Sequence, residues 1–261
     1  MTDRALLLEA VTEVARKAGQ TALALFRANT VVEWKTDGSP VTAADRSAES
    51  IARAWIGSRF PADGIVGEEL GVHNDAAERR WIIDPIDGTN AFIQGVPLWG
   101  TLVAVARGNE VLAGAAFFPA LNEMLCAATG QGCWWNGTRA CVSATDDMTR
   151  ATVLTTDERF GATPERARGW RALSARARVS RTWGDCYGYL LVATGRAEVM
   201  VDPIMNPWDA AALQPAIVEA GGRFTDWDGN ATAFGGSVIA SNAALGDIAR
   251  ALLRDGAPEP A

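Results

Sequence analysis

Acidic residues crowd a few short stretches of this chain. Glu68 and Glu69 close the run GIVGEE, Asp84 and Asp87 punctuate WIIDPIDGTN, and Asp209 stands in NPWDAAALQP. Each falls at the end of an expected strand or in the first turn of an expected helix, where side chains from different elements can converge. Carboxylates gathered in one place repel, and they raise one another's pKa unless a divalent cation lies between them. An all-oxygen donor set selects Mg²⁺, Mn²⁺ or Ca²⁺ over zinc, with Mg²⁺ the default.

Other chemistries are poorly supplied. The single histidine, His73, lies in the polar stretch GVHNDAAERR, so histidine triads and multi-histidine metal sites are hard to build. The four cysteines, Cys126, Cys133, Cys141 and Cys186, form no CxxC pair, which points to reduced thiols. Cys133 to Arg139, CWWNGTR, has the spacing of a cysteine phosphatase loop, but two tryptophans stand where small residues should let backbone amides approach phosphate, and Asn136-Gly137 fits a hairpin turn better. DWDG, starting at Asp226, resembles a haloacid-dehalogenase nucleophile strand but comes too near the C-terminus to be followed by such a domain. A net charge of -7 without a Lys/Arg cluster argues against nucleic acid. The opening MTDRALLLEAVTEVARKAG breaks every apolar run with Glu or Arg, which excludes a signal peptide or membrane span there and leads us to expect a cytoplasmic protein.

The elements that must position the acids can be traced from periodicity. Apolar residues at spacings of three and four predict a helix over 5–27, and Thr42 with Asp45 forms a capping box for a second helix to about Phe60. GIVGEE and RRWIIDPID are strand-like, and residues 99–143 form an antiparallel meander with turns at Gly108-Asn109, Pro119 to Asn122 and Asn136-Gly137. ATVLTTD, AEVMVD and a pair around Asp228-Gly229-Asn230 add strands. PERARGWRALSARA, CYGYLLVATG with Asp185 as its N-cap, WDAAALQPAIVEA behind Asn206-Pro207, and AALGDIARALLRD add helices. Pro215 should kink the third of these or be tolerated near a break. The expected organisation is one compact unit of two subdomains, 1–147 and 148–261, in stacked helix and sheet layers, and the final APEPA looks disordered.

GEE, WIIDPIDGTNAF and NPWDAAALQPAIVEAGG, in this order, resemble the inositol monophosphatase superfamily of Mg²⁺-dependent phosphatases. KTDGSPVTAAD matches the family's lysine loop and aspartate, and GCWWNG its hairpin before the second half, so the resemblance covers nearly the whole chain. It implies an α+β fold, the αβαβα sandwich, and a homodimer. It makes Glu68, Asp84, Asp87, the Ile86 carbonyl and Asp209 ligands for two or three Mg²⁺ ions, and it lets Thr89 and Asp45 position the attacking water. In physical terms Pro85 fixes the turn, Gly88 permits close backbone approach, and the Gly88 and Thr89 amides open a short helix toward phosphate oxygens, with Asn90 adding a donor. Lys35 stands in a loop that could close over the site.

RTWGDCYGYLLVATGRAEVMVD, with FIQGVPLWGTLVA and PWDAAALQP, looks like the histidinol-phosphate phosphatase branch. On that resemblance Asp185 and Asp202 line the alcohol pocket, alongside Glu68, Asp87 and Asp209. Two carboxylates favour an alcohol carrying ammonium and imidazole over a neutral polyol. Asn90 stands where the branch usually has lysine, which keeps inositol 1-phosphate and other sugar phosphates as the alternative substrates; a metal-binding protein without catalysis is the remote third.

Overall fold

The computed structural model describes residues 3–28, 31–160 and 163–255. Helix α1 (Asp3–Leu23) buries Leu7, Val11, Val14 and Ala18 along one stripe. It stops before the expected Arg27, because the chain turns so that the Phe26 ring meets Phe92 and Trp99, each at a centroid distance of 5.4 Å. A two-stranded hairpin, β1 (Val32–Trp34) and β2 (Pro40–Thr42), then carries the KTDGS loop to α2 (Ala43–Arg59).

The strands β3 (Gly64–Gly67), β4 (Gly71–His73) and β5 (Arg79–Asp87) are followed by the short helix α3 (Thr89–Ile93). The meander comprises β6 (Gly100–Arg107), β7 (Glu110–Phe118), β8 (Glu123–Ala128), β9 (Gly132–Trp135) and β10 (Thr138–Arg139). Together they form an eight-stranded sheet in the order β10-β9-β8-β7-β6-β5-β3-β4. Both faces are covered, so strand β5 is apolar on both sides. Trp81 and Ile83 pack toward α1 and α2, while Ile82 packs the opposite way.

The second half contains β11 (Thr152–Thr155), α4 (Pro164–Arg176), β12 (Val179–Arg181), α5 (Asp185–Ala193), β13 (Val199–Asp202), α6 (Pro207–Ala210), α7 (Leu213–Glu219), β14 (Arg223–Thr225), β15 (Val238–Ser241) and α8 (Gly246–Asp255). Its sheet runs β12-β11-β13-β15-β14, with β11 parallel to both neighbours. Leu190 of α5 and Ile217 of α7 fill the space between the sheets, against Leu102 on one side and Met200 on the other. Trp170 and Leu173 of α4 and Leu252 of α8 cover the outer face. The layers are therefore α1/α2, sheet, α5/α6/α7, sheet, α4/α8, the expected αβαβα sandwich. The APEPA tail lies outside the described residues.

Candidate active site

A bulge in β5 brings the first two acids together. Asp84 pairs with Leu102 and Asp87 with Gly100, so β6 spends one residue fewer than β5 across this step. Pro85 has no N–H to give the ladder; its carbonyl accepts the Thr101 hydroxyl at 2.7 Å, and the Ile86 amide donates to Asp84 Oδ1 at 3.0 Å. Two aspartates that regular pleating would send to opposite faces thereby reach one cleft.

Asp209 arrives from the other half of the chain. It is the third residue of α6, and its Oδ2 accepts the Asn206 amide at 2.8 Å, completing the cap ahead of Pro207. Carboxylate oxygens of Asp84, Asp87 and Asp209 all lie within 4.8 Å of one another. Burial, with Glu68, Asp87 and Asp209 nearby, drives the Asp84 pKa well above the carboxylate range. Burial and the charges of Asp185 and Asp209 do the same to Asp87, against the Cys186 amide that donates to it. Such a group of oxygens is costly without positive charge among them, and it suits a hard divalent cation.

Glu68 follows β3 in the same cleft, which has a volume of about 480 Å³ and is also walled by Lys35, Thr89 and Trp208. Its Oε1 is held by Lys35 Nζ at 2.8 Å, and the same ammonium meets Glu69 Oε1 at 2.6 Å. Burial alone would lower the Lys35 pKa, but the two glutamates outweigh it and raise it. Asp45, 1% exposed, is the third residue of α2 and accepts both the amide and the hydroxyl of Thr42 on Oδ2. Its Oδ1 is buried without a hydrogen-bond partner among the described residues. Asp45 is not among the residues that wall the cleft, though the charge of Glu68 acts on it, and its unpartnered oxygen is one that water or a cation would satisfy.

Gly88 caps α3 at a φ of 87°, and the Thr89 hydroxyl donates to the Ile86 carbonyl at 3.0 Å, leaving its lone pairs as acceptors. Asn90 is exposed and stands apart from the residues that wall the cleft. Asp185 and Asp202 meet in an adjoining pocket of about 130 Å³, shared with Asp87 and Asp209. Asp185 does not cap α5 as expected from the sequence. Gly184 holds that position, and Asp185 sits inside it at a φ of 48° with its amide donating to Thr156 Oγ1. Asp202, 4% exposed, accepts the Tyr189 hydroxyl at 2.9 Å and the Thr156 amide at 3.0 Å. Burial raises the pKa of Asp185 to about 6 and that of Asp202 to about 7.

Thr156, Tyr189 and the backbone amide of Cys186 also line or support this pocket and are not marked by the motifs. Thr156 could have been flagged by its place just past the end of a parallel strand, and Tyr189 by lying one helical turn after Asp185. The Cys186 amide carried no side-chain signal. The decoy motifs are accounted for structurally. Cys133 is fully buried on β9, which pushes its thiol up to about 12, and Asp226 binds the Asn230 amide in a turn. No helix among the described residues is long and apolar enough to cross a membrane.

The model of the inositol monophosphatase family matches residues 3–255. A histidinol-phosphatase of Chlorobaculum parvum is 43% identical over 92% of this chain and 93% of its own length. A histidinol-phosphatase of Mycobacterium tuberculosis is 36% identical over 83% of this chain and 85% of its own. Among solved structures, the extragenic suppressor protein suhB of Bartonella henselae superposes with a TM-score of 0.90 at 26% identity, covering 97% of this chain and 100% of that one. The chain belongs to the inositol monophosphatase family and is a phosphatase.

Proposed function

We propose that this phosphatase hydrolyses L-histidinol phosphate to L-histidinol and phosphate, with Mg²⁺ held by Glu68, Asp84, the Ile86 carbonyl, Asp87 and Asp209. The observation that carries the substrate is the pair Asp185 and Asp202 in the pocket next to Asp87 and Asp209. An alcohol bearing ammonium and imidazole gives those two carboxylates cationic partners, which a neutral polyol cannot. The two histidinol-phosphatase relatives support the same choice.

Bound among these oxygens, Mg²⁺ supplies Lewis acidity that neutralises phosphoryl charge and makes water nucleophilic near neutral pH. The chain's own groups do the positioning. The Thr89 hydroxyl, with its proton committed to Ile86, and the free Oδ1 of Asp45 accept hydrogen bonds from the attacking water. The Gly88 and Thr89 amides hold phosphate oxygens at the start of α3. Asp185 and Asp202 fix the departing alcohol, and two copies of the chain form the working dimer. The test is kcat/KM for L-histidinol phosphate, inositol 1-phosphate and fructose 1,6-bisphosphate, with and without Mg²⁺. A preference for inositol 1-phosphate overturns the substrate, equal rates in EDTA overturn the metal, and no turnover on any of the three overturns the reaction.

A further inference from the structure

We propose that Thr156 is a positioning residue for selectivity, locking Asp185 and Asp202 into a matched pair of acceptors for a cation-bearing alcohol. This rests on the substrate reading above. Thr156 follows β11, at the carboxyl end of a strand with parallel neighbours on both sides, where crevices in such sheets receive ligands.

Thr156 touches both acids at once. Its amide donates to Asp202 Oδ1 at 3.0 Å, and its hydroxyl oxygen accepts the Asp185 amide at 2.8 Å. The hydroxyl proton remains available, and the Thr156 side chain, like its amide, favours the ionised form of Asp202 against the burial that opposes it. On the far side of Asp202 the Tyr189 hydroxyl completes the cradle. Asp185 takes a left-handed φ of 48°, which aspartate tolerates better than most residues, and the Thr156 hydroxyl oxygen accepts its amide in that turn. Contact is close enough that a Cβ at Gly184 would lie 2.3 Å from Thr156 Cα, so the turn into α5 is pressed against this one residue.

The consequence is a division of labour. No hydrogen bond joins Thr156 directly to Asp45, Asp84, Asp87 or Asp209 among the described residues; it reaches Asp87 only through the turn into α5, where the Cys186 amide donates to that carboxylate, so its hydroxyl acts first on the alcohol pocket. Thr156→Val removes the hydroxyl while keeping the branched shape and the backbone amide, and Thr156→Ser keeps the hydroxyl.

Steady-state kinetics with Mg²⁺ on L-histidinol phosphate and on p-nitrophenyl phosphate, whose alcohol carries no cation, separate the possibilities. For Thr156→Val the KM for L-histidinol phosphate should rise about tenfold with kcat retained. The KM for p-nitrophenyl phosphate should stay as in the wild type, and Thr156→Ser should restore the first KM. An unchanged KM for L-histidinol phosphate in Thr156→Val overturns the inference alone, as does a parallel rise on both substrates or a serine variant as impaired as the valine one. A wild-type enzyme without preference for L-histidinol phosphate overturns the substrate reading and this inference together.

Discussion

Thr42 donates its hydroxyl proton to Asp45 Oδ2 at 2.6 Å, and its amide reaches the same oxygen at 2.8 Å, so one side of the carboxylate caps a helix and the other is left over. The helix cap thus fixes the carboxylate and leaves Oδ1 unpartnered. Asp45→Asn keeps the shape and one acceptor for Thr42 but replaces a charged acceptor. We expect kcat to fall about 100-fold with KM little changed, while thermal unfolding shows a folded protein. A variant with wild-type kcat would remove Asp45 from the chemistry.

Asp84 is 2% exposed and faces three other acids, so without a cation it works against the fold. Asp84→Asn removes one charge from that group. In EDTA the variant should melt above the wild type, by roughly 2–4 °C for each kcal/mol of repulsion relieved. Adding Mg²⁺ should then stabilise the wild type and not the variant, and phosphatase activity should be lost. A variant that melts lower in EDTA and still responds to Mg²⁺ would contradict this balance.

Much of this was legible in the chain, and the gaps have physical causes. Acids at element ends made Asp84, Asp87 and Asp209 candidates, and the order of the GEE, DPIDGT and PWDAAA motifs, through the family resemblance, made them ligands. The reason they converge was not legible, since the β5 bulge exists only in the register with β6. The strand β4 escaped because its three residues are all exposed and carry no burial pattern. The helix after Asn206 breaks at Ala211 and Ala212, and Pro215 is tolerated close behind the break as expected, at the third position of α7, where a missing N–H costs little. The misplaced cap at Asp185 has the same kind of origin. Its conformation is set by Thr156, 29 residues away in sequence, which no local pattern reports.

Gly88 holds a left-handed φ of 87°, and a Cβ there would lie 3.1 Å from the Leu98 carbonyl oxygen and 3.2 Å from Asp185 Oδ2. Gly88→Ala therefore brings backbone strain of about 1–2 kcal/mol together with pressure on a pocket carboxylate. The melting temperature should drop by a few degrees, and kcat/KM should fall more for L-histidinol phosphate than for p-nitrophenyl phosphate. Equal losses on the two substrates would show that the contact with Asp185 does not matter.

Asp202 gives the fold a pH dependence whose sign follows from its raised pKa of about 7 against an ordinary 3.8. Below 3.8 the carboxyl is neutral in both folded and unfolded chains and costs nothing. As pH rises from there to about 7, the unfolded chain ionises while the folded one still holds its proton, so stability drains away, and above 7 the loss is complete. Asparagine cannot ionise, yet its carbonyl can still accept from Thr156 and its amide can still donate to the Tyr189 oxygen. Thermal unfolding in EDTA should therefore show Asp202→Asn gaining on the wild type steadily across that window and then holding a constant lead. Parallel curves throughout would mean that the buried carboxyl titrates alike in both states, which the Tyr189 and Thr156 contacts could then achieve only by outweighing its burial.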